Sequence, residues 1–196
     1  MTTVYFVRHA EPDISVHDDR LRPLAPKGQR DTALVARYLH DKNIEIVLSS
    51  SYKRALDTVL PFADAIGIQV ETIEDFRERK VDSGWIEDFD AFKKKRWDDF
   101  TYKLSDGECH FEVQERNISA LKCVLTNHEC KSIVIGTHGT ALSMIINYYD
   151  NAYGYEDFEE MHRIFPWLVQ MDFDGNDCMR IMKIDLFQLQ PNQIQT

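Results

Sequence analysis

The chain has 196 residues, 43% hydrophobic and 29% charged, which suits one domain with a sizeable core and excludes a collagen-like or disordered chain. Lys and Arg number 23 against 33 Asp and Glu, a formal net charge of −10, so a non-specific nucleic-acid or membrane-surface binder is disfavoured and any phosphate chemistry must come from a few converging cations. No stretch of about 18 residues is free of charge, so no membrane span is expected.

The opening segment, Met1 to Asp13, has no basic n-region and only a brief apolar run, and does not read as a secretory leader. Within it, Val4–Val7 stops at Arg8-His9, which suits a buried strand. Pro26–Lys42 carries Ala33, Leu34, Val35, Ala36, Tyr38 and Leu39 and reads as a helix. Ile44–Leu48 is a second apolar strand ending in three serines, and a helix over Lys53–Ile66 follows, with Gly67 as its stop. Ile68–Ile73 is a further strand. Phe111–His128 has Phe111, Ile118, Leu121, Val124 and Leu125 at helical spacing. Ser132–Gly136 is strand-like, and His138-Gly139 opens a helix to about Tyr149. Leu168–Phe173 and Met179–Leu186 form a hairpin around Asp174-Gly175-Asn176. The expected organisation is one domain over 1–187, with a lid or insertion over 85–105 and a loose polar tail over 188–196.

Alternating strands and helices predict an α/β domain on a largely parallel sheet. In such sheets ligands sit beyond the carboxyl ends of the strands, where this sequence puts Arg8-His9, the Ser49–Ser51 turn, Glu78 and His138. Arg8 next to His9 holds an imidazole neutral, as a nucleophile needs, and a guanidinium grips phosphoryl oxygens. A salt-bridged strand end would look the same in isolation. Arg54 falls in the first turn of a helix, where N–H groups already favour anions, although a solvated helix start has the same pattern. Gly139 leaves room for a ligand beside His138. Four cysteines, Cys109, Cys123, Cys130 and Cys178, show no C-x-x-C spacing, and buried, reduced thiols of a cytoplasmic protein are expected. The grouping of Cys123, His128 and Cys130 matches no zinc pattern.

Taken together these segments resemble the histidine phosphatase superfamily, with its phosphoglycerate-mutase-like fold. Arg8-His9-Ala10-Glu11 resembles its opening signature, Ser50 with Arg54-Ala55-Leu56-Asp57-Thr58 its serine–arginine motif, Glu78 its acidic residue, His138-Gly139 its second histidine motif and Gly107-Glu108-Cys109 its Gly-Glu-Ser, with Arg116 downstream. The resemblance covers nearly the whole chain. It implies a three-layer sandwich of helices on a central sheet. It implies that His9 attacks phosphorus, that Arg8, Arg54 and His138, with Gly139, bind the phosphoryl group, and that Glu78 is the general acid and base. Glu108, Cys109 and Arg116 become candidate substrate contacts. The substrate would be a small phosphate ester, with no metal, no cofactor and no nucleic-acid or membrane partner. Ala10, Pro12 and Cys109 depart from the commoner Gly, Thr and Ser, and no Asn follows Pro12 in the loop; these departures bear on substrate and rate rather than reaction class.

Two stretches leave the reading open. Trp85–Leu104 interleaves aromatics with Lys93-Lys94-Lys95-Arg96. It is either an insertion that packs its aromatics and solvates its lysines, or a lid whose basic residues steer an anionic substrate. Around Glu78, alternation in an extended segment sends Arg77 and Arg79 to the face opposite the carboxylate. The function expected is phosphomonoester hydrolysis. A cofactor-dependent mutase and a catalytically silent phospho-ligand module are the alternatives.

Overall fold

The computed structural model describes residues 1–81 and 89–189. Six strands form one sheet in the order β3-β2-β4-β1-β5-β6. β1 (Thr2–Arg8), β2 (Ile46–Ser49), β3 (Val70–Thr72) and β4 (Ser132–Thr137) run parallel, while β5 (Trp167–Asp174) and β6 (Asp177–Ile184) add an antiparallel hairpin. The largely parallel sheet expected from the sequence is therefore present, with the hairpin at one edge.

The central strands are apolar on both faces because both faces are covered. Val4 and Phe6 of β1, with Ile133 and Ile135 of β4, point into one core shared with Leu121, Leu142 and Ile145. Tyr5, Val7 and Val134 alternate to the other side and meet Val35, Leu39, Val59 and Phe62. α1 (Pro26–Leu39) and α2 (Lys53–Ile66) thus cover one face, and α4 (His110–Asn127) with α5 (Gly139–Tyr149) covers the other. α2 ends where the sequence predicts, at Gly67 in the left-handed region with φ 70°.

The structure revises several details. β3 is shorter than Ile68–Ile73 because it is the sheet edge and Glu71 and Thr72 are exposed. α6 (Tyr155–His162) was not anticipated. Part of the aromatic insertion forms α3 (Phe89–Asp98), with Phe100 beyond its end; Trp85, and Gln190–Thr196 of the expected tail, lie outside the described residues. Of the four free cysteines only Cys109 is buried; Cys123 and Cys130 are exposed, which corrects the expectation of buried thiols. No described helix is long and apolar enough to cross a membrane.

Candidate active site

Parallel pairing of β1 with β4 puts Arg8 opposite Thr137. The residues that follow each strand are therefore His9 and His138, and their ring centroids lie 5.3 Å apart. The His9 N–H donates to the Thr137 carbonyl at 3.0 Å, and the Ser50 N–H, after β2, donates to the Gly136 carbonyl at 2.8 Å. Three strand ends distant in sequence are fastened to one another here.

His9 has a defined tautomer. Its Nδ1 lies 2.8 Å from the Ala10 carbonyl. A carbonyl only accepts, so Nδ1 carries the proton and Nε2 keeps its lone pair. Arg54 Nε–H donates to that Nε2 at 3.3 Å. Burial, then Arg54 and Arg8, hold the imidazole pKa well below its ordinary value. The loop carrying His9 is pinned by Thr58, whose Oγ1 accepts the Ala10 N–H at 2.9 Å and donates to the Arg54 carbonyl at 2.7 Å. The four-residue spacing of Arg54 and Thr58 along α2 thereby fixes the His9 loop and the Arg54 cation from one helix face.

Arg8 is 2% exposed. Its Nη1 donates to the carbonyls of Met161 and Ile164 at 2.7 and 2.9 Å, and its guanidinium stacks on Phe165 at 3.7 Å. Burial lowers its pKa to about 9, against the opposing pull of Glu78, so it stays cationic at neutral pH. A Cβ on Gly139 would stand 3.4 Å from Arg8 Nε, in ordinary van der Waals contact, so the guanidinium lies directly against the start of α5. His138 is fully buried behind His9. Its Nε2 pairs with Ser50 Oγ at 2.8 Å, while Nδ1 has no partner. Burial, Arg54 and His9 keep it neutral.

Glu78 is held at the mouth of the site: Oε2 accepts the Thr140 N–H of α5 at 3.2 Å and Oε1 accepts the Arg79 N–H at 2.8 Å. The segment carrying it is braced from behind. Glu108 accepts from Arg77 at 2.8 Å, from Arg116 Nε at 2.8 Å and from the Lys80 N–H at 2.9 Å. Arg116 also donates to the carbonyls of Asp75, Arg77 and Glu78. A Cβ on Gly107 would sit 2.1 Å from the Val81 carbonyl oxygen, so only glycine permits this approach. Glu108, Cys109 and Arg116, expected as substrate contacts, therefore lie outside the cleft lining: two brace the Glu78 segment, and Cys109 precedes α4, its N–H donating to Glu112 at 2.9 Å. Arg77 is drawn to Glu108 rather than the cleft, as alternation predicts, but Arg79 lines the same cleft as Glu78, against that expectation.

Arg8, His9, Arg54, Glu78 and Gly139 line one cleft of about 710 Å³. Its lining also includes residues that the sequence reading did not single out: Asp19, Arg22, Tyr52, Thr140, His162 and Phe165. Asp19 bridges Arg54 Nη1 at 3.2 Å. Nothing local in the sequence marks these residues. No group of three potential metal ligands occurs among the described residues. Arg54→Lys keeps the charge but loses the fork that meets both His9 and an oxyanion. We expect kcat/KM to fall at least about tenfold, ~1.4 kcal/mol, with weaker inhibition by vanadate. An unchanged kcat/KM would reduce Arg54 to a buried structural cation.

The chain matches known proteins. A model of the histidine phosphatase superfamily (branch 1) matches residues 4–176. A Hydrogenobacter thermophilus protein provisionally named phosphoserine phosphatase 2 is 28% identical over 158 residues, 74% of this chain and 77% of that protein. The uncharacterized phosphatase PhoE of Bacillus subtilis is 27% identical over 151 residues, 74% of this chain and 76% of that one. Among solved structures, a histidine-to-alanine variant of phosphoserine phosphatase from Entamoeba histolytica, in complex with phosphoserine, has a TM-score of 0.74 at 19% identity and covers 92% of this chain and 96% of its own.

Proposed function

Because the chain belongs to the histidine phosphatase superfamily, we propose that it hydrolyses phosphomonoesters through a phosphohistidine on His9, without a metal ion. Membership and phosphatase-named relatives support phosphoryl transfer in general. One observation carries the finer reading: the Nδ1–H of His9 is engaged by the Ala10 carbonyl, which leaves the Nε2 lone pair beside a guanidinium.

In the first step Nε2 forms a bond to phosphorus as the ester P–O bond breaks. The leaving oxygen takes the proton of Glu78. Arg8, Arg54 and the unpartnered Nδ1 of His138 stabilise charge on the transferring phosphoryl oxygens. In the second step water attacks the phosphohistidine, Glu78 takes its proton, and inorganic phosphate leaves with His9 restored. Two guanidiniums, of Arg8 and Arg54, line the cleft where a metal would act, so the reading assigns no step to one.

The test uses p-nitrophenyl phosphate and an alkyl phosphate, with EDTA present throughout. Hydrolysis should persist in EDTA. In single turnovers Glu78→Gln should cripple release of the alcohol, whose alkoxide needs a proton, and slow release of nitrophenolate far less. Loss of activity in EDTA would overturn the metal-free reading. Equal losses on both substrates would remove Glu78 from the general-acid role.

A further inference from the structure

Two buried arginines of the cleft play no part in this chemistry. Arg79 and Arg96 both line it, and they are 5% and 1% exposed. Their guanidinium carbons stand 5.8 and 4.6 Å from the centroid of the same ring, Phe92. Nε and Nη1 of both are sealed from solvent and have no acceptor. Arg8 differs in giving its Nη1 to two carbonyls, although its Nε is also unpartnered, and Arg54 Nη1 reaches Asp19. Lys93, one turn before Arg96, donates to Glu159 at 2.8 Å. The Lys93–Arg96 run is thus split: Lys93 and Arg96 face inward while Lys94 and Lys95 are exposed.

A buried cation without an acceptor is costly. Stacking on Phe92 offsets part of that cost but supplies no oxygen. Glu78 lies near both arginines, yet its oxygens are engaged by the N–H groups of Arg79 and Thr140. His110 sits beside them with both ring nitrogens unpartnered, and burial with Arg96 and Arg79 pushes its pKa down to about 2. Among the described residues no acceptor meets the Nε or Nη1 of either arginine.

We propose that Arg79 and Arg96 form a second anion subsite in the cleft, so that the substrate is a phosphomonoester carrying a further oxyanion, a phosphate or a carboxylate. This rests on the phosphomonoesterase reading above. Nε–H shares its edge with Nη2, as in the fork of Arg116 on Glu108, and Nη2, which is not among the sealed atoms of either arginine, is the group that a ligand oxygen in the cleft would meet. A ligand anion there would offset the burial of two cations, and part of the stability given up by burying them returns on binding.

Three esters of one chain length test this: n-propyl phosphate, trimethylene glycol bisphosphate and the phosphate of β-hydroxypropionate. The wild-type kcat/KM should favour at least one of the doubly anionic esters over n-propyl phosphate by about tenfold or more; which one it favours distinguishes phosphate from carboxylate. In Arg96→Met and in Arg79→Gln that ratio should collapse towards one. Arg96→Met should also raise the Tm of the ligand-free protein by about 2 °C or more, which a structural arginine would not do. Absence of a wild-type preference, or an unchanged ratio in both variants, overturns the subsite. Should Arg96→Met not fold, the Arg79→Gln ratio decides. If the wild type turns over none of the three, the hydrolytic reading has failed, and the subsite is then read by calorimetry. His9→Ala should bind trimethylene glycol bisphosphate more tightly than n-propyl phosphate, and His9→Ala/Arg79→Gln should bind them equally; equal binding to His9→Ala itself overturns the subsite independently of turnover.

Discussion

His9→Ala is expected to lower kcat/KM on any phosphomonoester by at least about ten-thousand-fold, ~5.4 kcal/mol of transition-state stabilisation. The size follows from covalent participation. Arg8, Arg54 and His138 stay in place and still polarise a phosphoryl group, but no atom is left to receive it. Other nitrogens are poor substitutes. His138 Nε2 is occupied by Ser50, and His162 stacks on Phe158, on the far side of Phe165. The direct measurement is a rapid quench at neutral or alkaline pH with labelled substrate. Wild type should yield a phosphoenzyme that is stable in base and lost in acid, and His9→Ala should yield none. The fold should survive, because His9 bonds only to its neighbour's carbonyl and to Arg54. Residual turnover within a hundredfold of wild type, or label retained in the variant, would end the assignment.

Much of this site is legible in the sequence because its parts sit at the ends of strongly patterned elements. β1 and β4 are apolar runs, so their ends are visible, and parallel pairing brings His9 and His138 together without further information. The Arg54–Thr58 spacing is equally local, since it is one turn of a helix. What sequence hides is what depends on distant partners. α6 has only Phe158 and Met161 buried in an otherwise acidic, exposed stretch, too few apolar positions to show a period. Yet the carbonyls at its end hold Arg8, more than 150 residues away in sequence. Glu108 and Arg116 look like substrate ligands until the Glu78 segment is seen folded across them. The basic run in α3 reads as solvated because charge dominates its composition, and only the packing shows that Lys93 and Arg96 share a buried side. The same burial that keeps His9 neutral also bears on the fold as a whole.

Stability is expected to fall steeply as pH drops below about 6.5. His9, His110 and His138 are at most 5% exposed. Burial is the first cause of depressed pKa in all three, followed by Arg54 for His9 and His138 and by Arg96 for His110. In the unfolded chain each returns to ~6.5. Above that value both states are neutral there and these residues add no pH dependence. Below it the unfolded chain binds three protons that the folded chain refuses, so lowering pH favours unfolding. The linkage slope is ~1.4 kcal/mol per pH unit for each proton, about 4 kcal/mol per unit for three. A domain with the usual 5–15 kcal/mol would lose a large part of that by pH 5, before most carboxylates protonate. For His110 the window runs from ~6.5 down to about 2. Urea titrations between pH 7.5 and 5 should show ΔG of unfolding nearly flat at the upper end and falling at the lower. His110→Phe, which fills the same aromatic contacts with Trp97 and Phe100, should reduce the slope by about a third and leave the protein more stable than wild type at pH 5. His9→Ala should flatten it similarly. A stability that does not change from pH 7.5 to 5 would mean that these imidazoles accept protons in the folded state, and the neutral His9 required for attack on phosphorus would then lose its physical basis.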